Sequence, residues 1–360
     1  MSSGIRWPAE WERHQGTWMS WPHNRGTWPD DVELLEHAFV QAIAALAAGE
    51  LLHLNVVDES VEARARARLL RAGVPVLSGP GSRSGVRLQR IRTNDAWCRD
   101  YGPVFTQHTS AGGTEQSCVD FRFNAWGGKY PPWSDDDAAA GAMAAAVAVR
   151  AERSAWVLEG GAIEGNGAGL IMTTEECLLN PSRNGQVSKA AMQQLLADTL
   201  GCRELIWLGG GVVGDDTDGH IDNLARFVSA DTVVCLVEPD RHDVNHAPLQ
   251  DNLQRLRAWR SAGGEQLRVI ELPAPDALEH EDRRLPASYA NFYIGNDVVL
   301  LPVYGGSRDA EAIRIVSSLL PERRVVPIDS RVVVRGFGAW HCLTQQVPDA
   351  VAAARGTMLA

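Results

Sequence analysis

The stretch from Asp30 to Val57, DDVELLEHAFVQAIAALAAGELLHLNVV, sets a pattern that the rest of the chain repeats. Its first part, Asp30–Ala48, has apolar residues at spacings of three and four and acidic residues in its first turn, and is predicted helical. Its second part, Leu51–Val57, is an apolar run of strand length. Further strand-like runs follow at Val86–Ile91, Val104–Thr106, Ala155–Leu158, Leu170–Thr173, Leu205–Leu208, Thr232–Val237, Leu267–Leu272, Val298–Val303 and Val325–Pro327. Helical stretches lie between them. Asp135–Arg150 is Ala-rich, with Asp at its start and Arg at its end to match the helix dipole. Ser188–Leu200 opens on a Ser cap, and Ala310–Leu320 is amphipathic. This is an α/β chain with its elements interleaved from end to end. No linker divides it, so residues 1–360 are expected to form one domain. Leu272–Pro286, charged and interrupted by prolines, is expected to be a surface loop that lines a site. No repeat is visible in residue identity, although the spacing of the strand runs suits several similar units.

Composition narrows the function. The 360 residues are 45% hydrophobic, enough for a sizeable core. The formal net charge is -11 and no Lys/Arg cluster occurs, which argues against nucleic acid or an anionic membrane as partner. No apolar run approaches the ~20 residues of a membrane-spanning helix. Met1–Pro8 holds no signal-peptide core, so a cytoplasmic location is expected. The six cysteines, Cys98, Cys118, Cys177, Cys202, Cys235 and Cys342, are scattered without a CxxC pair. Neither a zinc site nor a disulfide framework is suggested.

Chemistry concentrates in a few short segments. Asn94-Asp95-Ala96-Trp97-Cys98-Arg99-Asp100 packs two acids, an Arg and a Trp into one turn. It reads either as a salt-bridged turn, with Arg99 on Asp95 or Asp100, or as a carboxylate, Asp100, beside the aromatic face of Trp97. A planar cation would suit the latter. Gly214–Asp222 holds four acids and His220. It can be a solvated turn, a divalent-metal site, or a proton shuttle (His220) with a carboxylate clamp (Asp222), both on one face if the step is a strand. The preceding glycines lack dinucleotide-loop spacing, and the acids would repel phosphate. Glu159, before Gly160-Gly161, is a plain turn residue or a support for a histidine. His341 adjoins Cys342, and strand geometry would send the two to opposite faces, which makes His341 structural. The Trp-rich segment Trp7–Asn24 reads as core packing. His242 and His246 read as surface residues.

Taken together, the segments Pro8–Trp11, Trp18–Pro22, Asn94–Asp100, Phe123–Tyr130, Leu158–Gly161, Thr173–Asn180, Gly214–Asp222, Pro286–Tyr289 and His341–Gln346 span nearly the whole chain in order. They resemble the agmatine deiminase family, also called Porphyromonas-type peptidylarginine deiminases, within the guanidino-modifying pentein superfamily. The resemblance implies a five-bladed pseudosymmetric α/β propeller of ββαβ units. It implies hydrolysis of agmatine to N-carbamoylputrescine and ammonia with neither metal nor organic cofactor. It implies Cys342 as nucleophile, His220 as general acid and base, Asp100 and Asp222 as guanidinium clamps, and Glu159 as support for His220. Trp97 and Asp218 are further candidates for substrate contact, Asp218 at the far end. The partner implied is a small cationic guanidino substrate, and the assembly a homodimer or larger homo-oligomer.

One segment departs from the family pattern. The approach to the cysteine is commonly Gly-Gly-Gly-Asn-Ile-His-Cys. Here it is Gly336-Phe337-Gly338-Ala339-Trp340-His341-Cys342, preceded by Arg335. If Phe337 and Arg335 face the pocket, the substrate is an altered or acid-bearing guanidino compound; if they turn away, agmatine stands. The alternatives are a deiminase of another guanidine, an amidinotransferase, and a non-enzymatic guanidinium- or polyamine-binding protein.

Overall fold

Five sheets of three or four strands and one two-stranded hairpin make up the sheet structure of the described residues. The computed structural model describes residues 4–79, 81–110 and 113–349. Each larger sheet is assembled in one order: an antiparallel pair, then a helical crossover to a third strand parallel to the second. Ile163–Gly165 pairs antiparallel with Leu170–Thr174, and helix Lys189–Leu200 leads to the parallel strand Glu204–Leu208. Ala225–Phe227, Thr232–Val237, helix His246–Ala258 and Arg268–Pro273 repeat the order. So do Tyr293–Ile294, Val298–Val303, helix Asp309–Leu319 and Arg324–Asp329. Val104–Ser110, Gly113–Arg122, helix Ser134–Ala146 and Arg150–Val157 form a fourth such unit, with Ile5–Arg6 added at its edge. The last sheet joins the two ends of the chain. Gln345–Pro348 runs antiparallel to His14–Ser20, helix Val32–Ala47 leads to the parallel Leu51–Val56, and helix Glu59–Arg71 leads on to Gly85–Arg90. Parallel neighbours cannot be joined by a tight turn, so the helices between them follow from the pairing. The result is a mixed α/β fold of several small sheets. Its units repeat in topology, not in residue identity.

Local chemistry fixes the element ends. The Asp58 carboxylate accepts from the Val61 N–H at 2.9 Å and starts helix Glu59–Arg71. Ser188 caps Lys189–Leu200 in the same way, and Gly201 ends that helix at φ 70°. Helix Ser134–Ala146 is shorter than its composition suggests. Ala148 turns left-handed at φ 58°, and Arg150 opens a strand instead of closing the helix. The segment Leu272–Pro286 is not a plain loop, because it contains the hairpin Glu279–His280 and Arg283–Arg284.

The central strands Thr232–Val237 and Val298–Val303 are buried almost throughout, as two-sided strands must be. The largest apolar cluster holds Trp18, Trp21, Trp28, Phe39 and Trp340, so Trp18 and Trp21 are core residues as expected, whereas Trp7 and Trp11 are half-buried against other clusters. Among the described residues, no helix is long and apolar enough to cross a membrane.

Candidate active site

The turn that leads into the first strand of each unit carries a polar group at the site. The short helix Cys98–Tyr101 presents Asp100. Glu159 precedes the 3-10 turn Gly160–Ala162. His220 and Asp222 flank the start of the 3-10 turn Ile221–Asn223, so the condition that would put them on one face of a strand is not met. Asn291 precedes Tyr293–Ile294, and Cys342 lies in the turn before Gln345–Pro348. These turns touch one another in order. The Gly161 N–H donates to Asp100 Oδ1 at 2.9 Å. Oxygen and nitrogen ligand atoms of Glu159 and His220 lie within 4.8 Å of each other. Asn291 Nδ2 donates to Asn223 Oδ1 at 2.9 Å and to Cys342 Sγ at 3.0 Å. The Arg99 N–H returns to the Cys342 carbonyl at 3.2 Å.

Cys342, His220, Asp100 and Asp222 are thus brought together, all buried. Cys342 Sγ lies 3.4 Å from Asp222 Oδ2. His220 Nδ1 lies 3.7 Å from Asp100 Oδ1. Among the described residues, neither ring nitrogen of His220 has a hydrogen-bond partner, and nor does Asp222 Oδ1. Buried polar atoms are nearly always paired, so a cluster of unpaired ones marks where a polar ligand completes the set. Gly161 makes this approach possible: a Cβ there would lie 2.6 Å from His220 Nδ1 and 2.7 Å from Asp100 Oδ1.

The electrostatics are those of crowded, desolvated charges. Burial, and then the neighbouring Asp222 and Asp100, push the Cys342 thiol well above its ordinary range. Burial disfavours the His220 imidazolium, but Asp100, Cys177 and Asp222 outweigh it and raise its pKa well above the usual value. Burial also raises Asp100 to about 6, against the pull of His220. Asp222 is the reverse case. Burial pushes it up, but His341, His220 and Arg226 bring it below the ordinary carboxylate value.

A cavity of about 650 Å³ opens onto Cys342, Asp100 and Trp97. Trp97 leans on Trp28 with ring centroids 5.2 Å apart and walls the cavity beside the sulfur. Gly338 must lack a side chain here, because a Cβ would lie 2.6 Å from the Trp97 ring and 3.1 Å from Cys342 Cβ. Phe337 does face the cavity, at φ 70°, and the Arg283 guanidinium lies 4.9 Å from its ring centroid. Arg335 does not line this cavity; it pairs with Asp31 at 2.6 Å. Asp218 is also absent from the cavity wall, held by Lys129 at 2.8 Å and by Arg183. The neighbouring Asp216 is on the wall instead, where it accepts from the Tyr130 hydroxyl.

Behind the cluster stands a buried ionic network that the sequence reading missed. His341 Nδ1 donates to Asp222 Oδ2 at 2.7 Å and Nε2 to Glu10 Oε2 at 3.0 Å. Both ring nitrogens face carboxylate oxygens, so the ring is held from two sides. Because His341 and Cys342 sit in a turn and not on a strand, the two side chains serve one site. Arg99 does not pair with Asp95 or Asp100. It reaches Glu10 at 3.0 Å, and Arg226 reaches the same carboxylate at 2.7 Å. Glu159 pairs with Arg183 at 2.8 Å. Glu159, Cys177 and His220 could in principle converge on a metal ion. The Arg183 guanidinium already supplies the cation that Glu159 needs, so the fit to a metal is poor.

A buried thiol, a histidine and paired acids thus cluster at a Trp-walled cavity that Cys342 and Asp100 line directly. The family model described as Porphyromonas-type peptidyl-arginine deiminase matches residues 6–348. An agmatine deiminase of Ectopseudomonas mendocina is 36% identical over 370 residues, covering 96% of each chain. The structure of an agmatine deiminase of Enterococcus faecalis superposes with a TM-score of 0.87 at 32% identity, covering 98% of this chain and 99% of that one. A substrate-bound agmatine deiminase of C. jejuni superposes with a TM-score of 0.83 at 28% identity over 96% of each chain. With a match of this extent in both sequence and fold, the chain belongs to the Porphyromonas-type peptidyl-arginine deiminase family.

Proposed function

We propose that this protein is an agmatine deiminase, which hydrolyses agmatine to N-carbamoylputrescine and ammonia through a covalent intermediate on Cys342. The observation that carries the reading is the buried cluster of one thiol, one imidazole and two carboxylates beneath the cavity, with unpaired atoms on His220 and Asp222. Relatives over nearly the whole chain bear that enzyme's name.

Each group has a task in this reading. Guanidinium is resonance-stabilised and a poor electrophile. Asp100 and Asp222 fix its plane and keep it protonated, and Trp97 covers a face. The cation also favours the thiolate of Cys342, which burial among carboxylates otherwise disfavours. The sulfur adds to the central carbon. His220, as imidazolium, protonates the departing ammonia and leaves an S-alkylthiouronium on Cys342. Neutral His220 then takes a proton from water, and the hydroxide adds to the same carbon. Collapse breaks the C–S bond, the hydroxyl proton passes to the released ammonia or solvent, and the ureido product and the thiolate are released with His220 again an imidazolium. Glu159, steered by Arg183, supports His220.

The far ammonium requires a second acid. Asp95 and Asp136 already accept from backbone N–H groups. We therefore assign the role to Asp216 and not Asp218; burial raises the Asp216 pKa against the pull of the Tyr130 hydroxyl and Lys129. The pairing of Arg335 with Asp31 removes the charge argument for an acid-bearing substrate. We also read the five sheets as blades of a five-bladed propeller, since each repeats the ββαβ order and each entry turn meets the next. The six free, buried cysteines suit a reducing cytoplasm.

The test is release of ammonia and ureido product from agmatine, arginine and guanidino acids measured side by side, with mass spectrometry of quenched enzyme. Agmatine is expected to dominate and to leave an amidino adduct on Cys342. Cys342→Ala is expected to bind agmatine without turnover. An amidinated acceptor with no ureido product would instead identify an amidinotransferase.

A further inference from the structure

Four of the five entry turns contribute a group to the proposed reaction: Asp100, Glu159, the pair His220 and Asp222, and Cys342. The remaining turn, Ser288–Asn291, carries Asn291, which is buried against the same centre. Its side chain touches the reacting atom directly.

The amide orientation is fixed by its surroundings. Asn291 Oδ1 accepts from the backbone N–H groups of Ala339 at 3.2 Å, His341 at 3.1 Å and Cys342 at 3.3 Å. Three donors on one side demand the oxygen there. The NH₂ group must then face the other way, where it meets Asn223 Oδ1 at 2.9 Å and Cys342 Sγ at 3.0 Å. The two N–H bonds of one amide are thus spent on two acceptors. One of these belongs to the turn that carries Asp222, and the other is the nucleophile.

We propose that Asn291 is a further catalytic residue, whose amide N–H holds the Cys342 sulfur as a thiolate while its carbonyl fixes the turn that carries it. A neutral amide suits the task. It stabilises negative charge on sulfur without introducing a cation that would compete with the guanidinium substrate. The contact works in both halves of the reaction. Charge leaves the sulfur as the S–C bond forms and returns as the thiolate departs from the tetrahedral adduct, and the N–H favours the charged state each time. The environment makes this contribution necessary. Asp222 and Asp100 both oppose the thiolate, and Asn291 is the foremost side chain that favours it.

The role rests on Cys342 being the nucleophile but not on agmatine being the substrate, so it is tested without substrate. Iodoacetamide alkylation of Cys342 is followed by mass spectrometry across pH for wild type, Asn291→Ala and Asn291→Asp, with melting temperatures measured alongside. Asn291→Asp keeps an oxygen for the three backbone N–H groups but replaces the donor. Both variants are expected to shift the alkylation profile at least one pH unit upward. That corresponds to about tenfold less thiolate at fixed pH. With agmatine, kcat is expected to fall about 100-fold while KM changes only a few-fold. If a folded variant alkylates with the wild-type pH profile, the proposal is overturned whatever its turnover. If the profile shifts in a protein that does not turn over agmatine, the proposal stands and the substrate assignment fails.

Discussion

Asp100 is the residue whose ionisation the geometry makes most exposed to experiment. Burial holds its pKa at about 6, and in the proposed mechanism it receives the guanidinium as a carboxylate. Above that pH the clamp is charged; as pH falls through about 6 it is neutralised and loses its hold. The profile of kcat/KM reports the free enzyme. It is therefore expected to fall on the acid side with a midpoint near 6, not near the ordinary carboxylate value. Asp100→Asn is expected to lower kcat/KM by at least about 100-fold, the scale of misplaced substrate, and to abolish that limb. A midpoint near 4 would show that another group governs it. Asp100, His220 and Asp222 stood out in the sequence because they sit in unusually dense polar segments, whereas Cys342, in a mostly apolar stretch, was singled out through the family resemblance. Asn291 was not, because a single amide inside the apolar run Tyr289–Ile294 has no signal of its own. Arg99 was read as an ion-pairing turn residue but with the wrong partners, Asp95 or Asp100, since Glu10 lies far away in the chain.

At the scale of elements, the long helices were readable from their periodic apolar spacing and the central strands from unbroken apolar runs. Thr232–Val237 and Val298–Val303 match their apolar runs residue for residue. The turns that build the site were not readable in the same way. Ile221–Asn223 has no period, and its curvature comes from contacts with three other turns. The 3-10 turn Gly160–Ala162 shows how close those contacts are. Its N–H at Gly161 holds Asp100 Oδ1 at 2.9 Å, and its missing side chain leaves room for His220. Gly161→Ala would insert a methyl 2.6 Å from His220 Nδ1. A shift of His220 or Asp100 approaching 1 Å must follow, and displacements of that size cost on the order of 100-fold in rate. The variant is expected to lose about that much kcat/KM while melting within a few degrees of wild type, as steady-state kinetics and calorimetry would show. Near-normal turnover would mean that His220 does not need its observed position.

At the scale of the whole molecule, the repeated units are held in register by buried charge as well as by apolar packing, and Glu10 is the hub. Its carboxylate receives Arg99 at 3.0 Å, Arg226 at 2.7 Å, His341 at 3.0 Å and the Ile294 N–H at 2.9 Å. These donors come from four different sequence regions, so one N-terminal side chain ties together turns that carry Asp100, Asn291 and Cys342. Burial raises the Glu10 pKa, but Arg226, His341 and Arg99 overcome it and keep the group well below its ordinary value. The contribution to stability is therefore present at neutral pH and is lost only as pH falls through that depressed pKa. Removing the carboxylate leaves Arg226 only Glu164 as ion-pair partner and leaves Arg99 only the neutral oxygens of Gln346 and His341, and breaking a buried ion pair from one side costs about 3–5 kcal/mol. Glu10→Ala is expected to lower unfolding stability by about that amount at pH 7, seen as a lower denaturant midpoint at unchanged slope. It is also expected to reduce kcat, because His341 loses one carboxylate and with it the anchor that orients Asp222. A variant as stable as wild type, with full turnover, would show that the network is dispensable and that packing alone holds the turns together.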